Sequence, residues 1–488
     1  MLFEVIVAAE AALVLAALYV VYSFTVNKVL SPLRTVPGPW YCALGGLYYQ
    51  LKMAKGIQLP WIQRLHEKYG PVVRVAPNVI SMRDVDAAHT IFATHRFIKG
   101  PIYHGFDLTG SENIFSARDP AFFKIRKKLA VPMFTRTAVE EMDDMIMAAG
   151  ITPLMARLDR HAEAGDAIDI MGLFHYMTFD VIGDIAFGRN FNLIEDDNNG
   201  DNMVTWLAGT AQLGIYKLAL GPLANQWLMP KLFECQRKII DFTVESVRIR
   251  RATPSTRPDS LNKFLVAMKD EKIEQLSDMD IAGDILLQLM AGTDSTATCC
   301  AWTIYRLKNE PEVYARLLAE LREAIPDINM CITHAMVRNL PYLTAVINES
   351  LRIYPVAGGD PHRVVPKGGV EFCGKYLPAG TVVMASQQML NYWDKIWDEP
   401  TAFRPERWLI KDEERLNEMK RAFYPFSMGV RSCIGRDLAW MEMHVTLASV
   451  LRRYEVEILP NNDMEPVFNL VVLPRGHALN VKLVRRAD

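Results

Sequence analysis

The sequence predicts a mainly α-helical protein with a small β region, led by a transmembrane helix at its N-terminus. Three observations carry that expectation: an apolar run from Val5 to Val26, helical periodicity in most later segments, and short β-rich alternations at Val72–Met82 and Val370–Ala385. Half of the 488 residues are apolar and the formal net charge is only −2, so the chain lacks the cationic excess that nucleic acid selects, and no nucleic acid partner is expected.

Glu10 is the one charged residue in the N-terminal run. The run is long enough as a helix, about 33 Å, to cross a bilayer core, and Glu10 lies close enough to one end to snorkel toward the interface. Glu4 precedes the run while Lys28 and Arg34 follow it, an asymmetry that puts the body on the cytosolic side. A cleaved signal peptide is the competing reading, but no basic segment leads the run and no small-residue cleavage site follows it. Residues 1–26 are therefore expected to anchor the chain. In Ser31-Pro32-Leu33-Arg34-Thr35-Val36-Pro37-Gly38-Pro39-Trp40, three prolines fix φ and stop the helix, so residues 27–40 read as a hinge. No repeat, low-complexity tract or second proline-rich break follows, and residues 41–488 read as one unit.

Inside that unit, Val72–Met82 alternates around Pro77-Asn78 as a hairpin does, and Gly374 and Pro378-Ala379-Gly380 divide the second β region. The longest helical pattern runs from Met279 to Leu307 without a proline. Such a helix is about 40 Å long, and its apolar character makes it central.

The seven cysteines have no paired spacing, which argues for reduced thiols and against both a disulfide framework and a zinc site. Cys433 stands apart by its neighbours, Phe426-Ser427-Met428-Gly429-Val430-Arg431-Ser432-Cys433-Ile434-Gly435, with a helical stretch from Arg436 onward. A thiolate just before a helix N-terminus gains from the helix dipole and free backbone N–H groups. Gly429 and Gly435 allow a tight loop and the close approach of a flat cofactor. Phe426 can shield the sulfur, and Arg431 can pair with a carboxylate on the cofactor rim.

This run resembles the haem-binding loop of the cytochrome P-450 family, FxxGxRxCxG, at every fixed position. The resemblance continues in chain order and implies that family's fold, with Cys433 as the axial thiolate of a haem b iron. Glu349-Ser350-Leu351-Arg352 places both charges on one helix face. Phe403-Arg404-Pro405-Glu406-Arg407-Trp408 resembles the family's PERF/PERW segment, which implies a buried network of Glu349, Arg352 and Arg407. Ala291-Gly292-Thr293-Asp294-Ser295-Thr296 resembles the oxygen-binding motif of the long helix. It implies small residues beside bound oxygen, proton delivery through Asp294 and Ser295, and Thr296 completing the motif. Serine stands where threonine is usual and lacks the methyl that restricts its rotamer. For the haem propionates the resemblance offers Lys127 or Arg126, which spacing does not separate, together with Arg363. Phe179–Gly188 resembles another family helix and reads as core.

Resemblance also implies a monooxygenase that inserts one atom of O2 into a lipophilic small molecule, in the manner of fungal microsomal members of secondary metabolism acting on terpenoids, polyketides or steroids. No flavin or dinucleotide fingerprint is present, so electrons are expected from a separate NADPH-cytochrome reductase, with a cytochrome b-type donor as a second source. The expected location is the endoplasmic reticulum membrane, single-pass, with a cytosolic catalytic body. Substrate-gripping segments are expected at Phe97–Ser116, Trp206–Leu228, the helix before Asp294, Val356–Asp360 and Phe468–Leu473. Gly358-Gly359 leaves room above the haem, and Asp360 is available for a polar substrate group or for His362 or Arg363. A haem-thiolate isomerase or dehydratase and a non-catalytic haem-binding membrane protein are the alternative functions.

Overall fold

The computed structural model describes residues 2–195, 197–257, 259–268, 276–356, 359, 361–468 and 471–487, with side chains described throughout except at 2–9, 12, 13, 16 and 197–202. Gly358 and Asp360 lie outside the described residues. The fold is mainly helical, with small sheets set to one side. The hairpin forms where alternation places it, β1 (Val72–Ala76) pairing antiparallel with β2 (Val79–Met82). Three further short strands extend it: β3 (Ile98–Lys99), β5 (Arg363–Val364) and β8 (Val382–Met384), in the order β1-β2-β8-β5-β3. Only the β2–β8 pairing is parallel.

The long helix runs from Asp278 to Lys308. Ser277 opens it by accepting from the backbone N–H of Asp280, whose side chain accepts in return from the N–H of Ser277. That reciprocal cap satisfies two donors that a helix N-terminus leaves free. Most of the helix is buried all round, which identifies it as the core element that the apolar pattern requires.

Its main neighbour is the helix Ile170–Phe187. Among the described residues this second helix is long and apolar enough to span a membrane, yet 83% of it is buried in protein. It is a core helix, in keeping with the expectation for Phe179–Gly188. The two helices meet closely at Gly292, where an added Cβ would stand 2.8 Å from Cγ1 and 3.0 Å from Cβ of Ile182. Gly292 is therefore small because another helix presses on it. The expectation that Gly292 makes room for oxygen is corrected accordingly: at about 100° per residue it points away from the side that Ala291 presents.

At the N-terminus a helix spans Leu2–Phe24 and gives way to a wider turn at Thr25–Leu30. Val14, Leu15, Leu18, Val21 and Tyr22 are exposed. The apolar part with described side chains, Ala17–Leu30, is shorter than a full crossing. Arg74 of β1 ties the following segment to the sheet: its Nη1 donates to the carbonyl of Asn27 (2.6 Å), and its own N–H donates to that of Pro37 (2.8 Å).

Replacing Gly292 with valine should force the two core helices apart, at a cost of about 1–3 kcal/mol. In a double-mutant cycle by denaturant unfolding, Ile182→Ala should recover part of the loss; strict additivity of the two changes would show that Gly292 is not held by that contact.

Candidate functional site

The loop that ends at Cys433 is fixed by backbone geometry. Gly429 has φ +68° and lies so close to Phe92 and Ala93 that a Cβ would meet the Phe92 carbonyl oxygen at 2.6 Å. No other residue type fits there without strain. The N–H of Cys433 donates to the carbonyl of Phe426 (2.8 Å), closing the loop across the intervening residues, and the Phe426 ring packs on Trp440. The helix Arg436–Arg453 starts three residues after the thiol.

Electrostatics separate this thiol from the other buried ones. Burial pushes Cys42 and Cys299 up to about 12 and Cys300 well above the ordinary thiol value. Burial raises Cys433 too, but the backbone N–H of Gly435 and the charge of Arg436 oppose it. Surrounding protein desolvates the sulfur, yet Cys433 keeps accessible surface. A side chain on the wall of an enclosed space has both properties. Where a Cβ on Gly435 would stand, nothing lies within 4 Å.

Cations gather beside this loop. Lys127 Nζ donates to the carbonyl of Val430 (2.6 Å), and the guanidinium of Arg431 stacks on Phe123, 3.4 Å from the ring centre. Lys99 and Arg363 are direct partners across the β3–β5 pairing, both buried. Like charges directly opposite one another destabilise a strand pair. Arg363 donates to the Tyr103 hydroxyl (3.2 Å), and Lys99 to the carbonyl of Phe115. Burial and the crowding of like charges lower the pKa values of these groups. Burial, then Arg363, brings Arg431 down to about 10; burial, Arg363 and Arg431 hold Lys99 well below an ordinary lysine; burial and Arg431 lower Lys127. Nη1 of Arg431 is buried without a hydrogen-bond partner.

Arg126 is not part of this group. It is 1% exposed, and its guanidinium is committed to Asp284 and to Asp280 (3.2 Å) at the start of the central helix. Of the two adjacent cations, Lys127 reaches the cysteine loop and Arg126 does not. Lys99 was missed in the sequence because its strand has only two residues.

On the central helix, Ala291 is accessible, and the Ser295 hydroxyl donates to its carbonyl (2.7 Å). Asp294, on the same side, retains a third of its side-chain surface while burial holds its carboxyl above the ordinary range. Two histidines bear on it, His175 (Nε2 to Oδ1 3.7 Å) and His477, and both oppose that rise. Thr296 faces elsewhere: it is buried, and its hydroxyl hydrogen-bonds the carboxyl of Glu442. The expectation that Thr296 acts beside Asp294 and Ser295 is corrected for the same rotational reason as Gly292. Neither His175 nor Glu442 lies in the motifs, and only their placement against the central helix marks them.

Glu349, Arg352 and Arg407 come together as one buried cluster. Arg352 grips Glu349 through Nε (2.9 Å) and Nη2 (2.8 Å), while Arg407 Nε and Trp408 Nε1 each donate to it at 3.0 Å.

A thiol on a tight glycine loop, a buried cluster of like charges with an unpartnered guanidinium nitrogen, and an accessible stripe on a central helix are the features of a haem-thiolate enzyme. Comparison with known proteins agrees. The family model described as "Cytochrome P450" matches residues 36–481. "Cytochrome P450 monooxygenase atr2" of Stereocaulon alpinum is 33% identical, over 92% of this chain and 91% of the relative. "Cytochrome P450 monooxygenase stcF" of Emericella nidulans is 30% identical, over 96% and 98%. The crystal structure titled "cytochrome P450DA heme domain" shares the fold at a TM-score of 0.80 and 21% identity, covering 92% of this chain and 97% of that one. The chain belongs to the cytochrome P-450 family and is a haem-dependent monooxygenase.

The residues present suit that cofactor. Its flat ring needs a wall free of side chains, and its two carboxylates need buried cations. Gly435 offers the first, while Lys99, Lys127, Arg363 and the unpartnered Nη1 of Arg431 offer the second.

Burial raises Glu442 from 4.5 to about 8. Between those values the folded state keeps a proton that the unfolded chain has lost, so stability falls as pH rises through the window. Glu442→Gln removes this titration. Unfolding between about pH 5 and 8 should show a flatter pH dependence in the variant, by on the order of 3–5 kcal/mol at the upper end. An unchanged slope would mean that Glu442 is ionised when folded.

Proposed function

We propose that this protein oxidises a lipophilic small molecule at a haem b bound between Cys433 and the accessible stripe of the central helix, with electrons from a separate NADPH-dependent reductase. The observation that carries the reading is Cys433, a thiol that keeps accessible surface and whose rise on burial is opposed by the Gly435 N–H and the charge of Arg436, beside the buried Lys99 and Arg363 and the unpartnered Nη1 of Arg431. Cys433 would hold the haem iron through its sulfur, Phe426 would shield that sulfur, and Gly435 would admit the ring. Lys127, Arg363 and Arg431 hold the propionates, with Lys99 beside them, while Arg126 braces the central helix. Glu349, Arg352 and Arg407 are structural.

Haem held by a thiolate supplies the oxidising chemistry, in which electron donation from sulfur favours O–O cleavage. The protein supplies protons and position. Burial raises the Asp294 carboxyl above the ordinary range, which favours a proton held at the accessible side of the helix. Ser295 donates its own hydrogen to Ala291, so its oxygen lone pairs are left to receive that proton or a water carrying it. Without the threonine methyl, only this hydrogen bond restricts the rotamer of the hydroxyl, and some loss of coupling is the expected consequence.

Exposed apolar side chains indicate the route of entry. Trp227 is 94% exposed, with Leu223 and Leu228 beside it in sequence. Trp40, Leu47 and Leu51 are also exposed, and the helix that carries Leu47 and Leu51, Leu47–Ala54, packs against the helix that leads to Leu220. Together with the N-terminal helix they form a face suited to a membrane surface. Anchorage in the endoplasmic reticulum by residues 1–26, through a hinge at 27–40, places substrates of secondary metabolism within reach of the body at 41–488.

Reduced protein exposed to carbon monoxide should give the Soret band of thiolate ligation, and Cys433→Ala should abolish it; a haem-loaded protein without that band would overturn the assignment. Haem-retention assays should separate the two neighbouring cations. Lys127→Ala should lose haem at least several-fold more readily while remaining folded. Arg126→Ala, which strands Asp284 in the core, should instead lose about 3–5 kcal/mol of stability.

A further inference from the structure

His175 lies on the core helix Ile170–Phe187, largely buried, and it matches none of the motifs. Its Nδ1 is 2.8 Å from the carbonyl oxygen of Met171. A carbonyl carries no hydrogen, so this contact is attractive only with the hydrogen on Nδ1. In a neutral ring Nε2 is then a bare lone pair, and Nε2 is the atom that faces Asp294 Oδ1 at 3.7 Å. A lone pair opposite an ionised carboxylate repels it. A proton on either atom turns the contact into attraction, and a small rotation of the carboxyl closes it to hydrogen-bond length.

We propose that His175 and Asp294 hold one proton in common at neutral pH, and that His175 is the positioning residue which reloads Asp294 during turnover. The proposal rests on the reading of Asp294 as the proton donor of the accessible stripe. When the carboxyl passes the shared proton toward Ser295, the carboxylate and Nε2 of His175 are both left without it, and the pair is reloaded through the ring. The imidazole, now neutral, is recharged from solvent through its remaining exposed edge. His477, in the turn after β11 (Val472–Pro474), is the other charged group that bears on Asp294. His477 stands in the left-handed region (φ +51°), its N–H donating to Pro474.

Chemistry at this pair is specific in a testable way. Proton sharing requires both partners, whereas simple packing of His175 would persist without the carboxylate. The chain has ten histidines, few enough for a 15N spectrum of histidine-labelled full-length protein to resolve. The diamagnetic reduced carbon monoxide complex is the sample of choice, and His175→Asn, or His175→Gln should the first not fold, identifies the resonances. At neutral pH, Nε2 of His175 should show a protonated or proton-shared shift, and Asp294→Asn should return it to that of a neutral ring with a free lone pair. If wild type and Asp294→Asn show the same neutral-ring pattern, the shared proton does not exist and the proposal fails. Formation of the carbon monoxide complex tests the haem reading separately, and the histidine spectrum is read on the full-length protein whether or not that complex forms.

Discussion

The path of the chain between residues 341 and 409 depends on one buried carboxylate. Glu349 is fully buried, and both of its oxygens are taken by two guanidinium groups, an indole N–H and the backbone N–H of Arg404 (3.0 Å). Arg352 then donates outward to the carbonyls of Asn391 (2.8 Å), Pro400 (2.7 Å) and Ala402 (3.1 Å), so the charge that pins one helix also pins an irregular stretch 40 to 50 residues later. Both arginines stack on Trp397. Breaking a buried pair of this kind costs about 3–5 kcal/mol, a large share of the 5–15 kcal/mol that holds a typical domain together. The cysteine loop follows directly, and Tyr424 at its start is fixed by donating to the carbonyl of Ala385 (3.1 Å). A loop without regular structure thereby acquires a rigid foundation.

Features governed by near neighbours in sequence were legible. The β1–β2 hairpin, the central helix and the glycine-bounded cysteine loop all depend on residues a few positions apart, where periodicity and turn chemistry act. What escaped was decided by partners far along the chain. Arg126 and Lys127 are adjacent and carry the same charge, yet Asp280 and Asp284, more than 150 residues away, claim one and leave the other to the cysteine loop. Gly292 and Thr296 sit inside a recognisable motif, but a helix fans consecutive side chains around its axis, and only the packing of Ile182 and Glu442 shows which sides they occupy.

The cation cluster shows how a site can oppose folding until its ligand arrives. Lys99 opposite Arg363, with Arg431 and Lys127 close by, is a poor arrangement by the ordinary rules for buried charge. Aromatic faces soften it, since Lys99 lies 4.2 Å from the ring centres of Tyr103 and Phe115 and Arg431 rests on Phe123. A dianionic rim bound there, as proposed for the haem, would relieve the remainder. Its binding would then be coupled to folding through the same side chains, because an anion that binds only the folded protein adds its binding free energy to stability.

The central helix carries two acid–hydroxyl pairs on different sides. Glu442 meets Thr296 in the dry interior, and Asp294 stands next to Ser295 on the accessible stripe. Burial raises both acids, but their surroundings differ. Glu442 has a hydroxyl to hydrogen-bond and no base to exchange with, so it keeps its proton and serves as a neutral link between the central helix and the helix that follows Cys433. Asp294 instead faces the imidazole of His175 across 3.7 Å and keeps a third of its side-chain surface. The helix therefore sets the two carboxyls in opposite surroundings by rotation alone, one dry and the other on the accessible stripe.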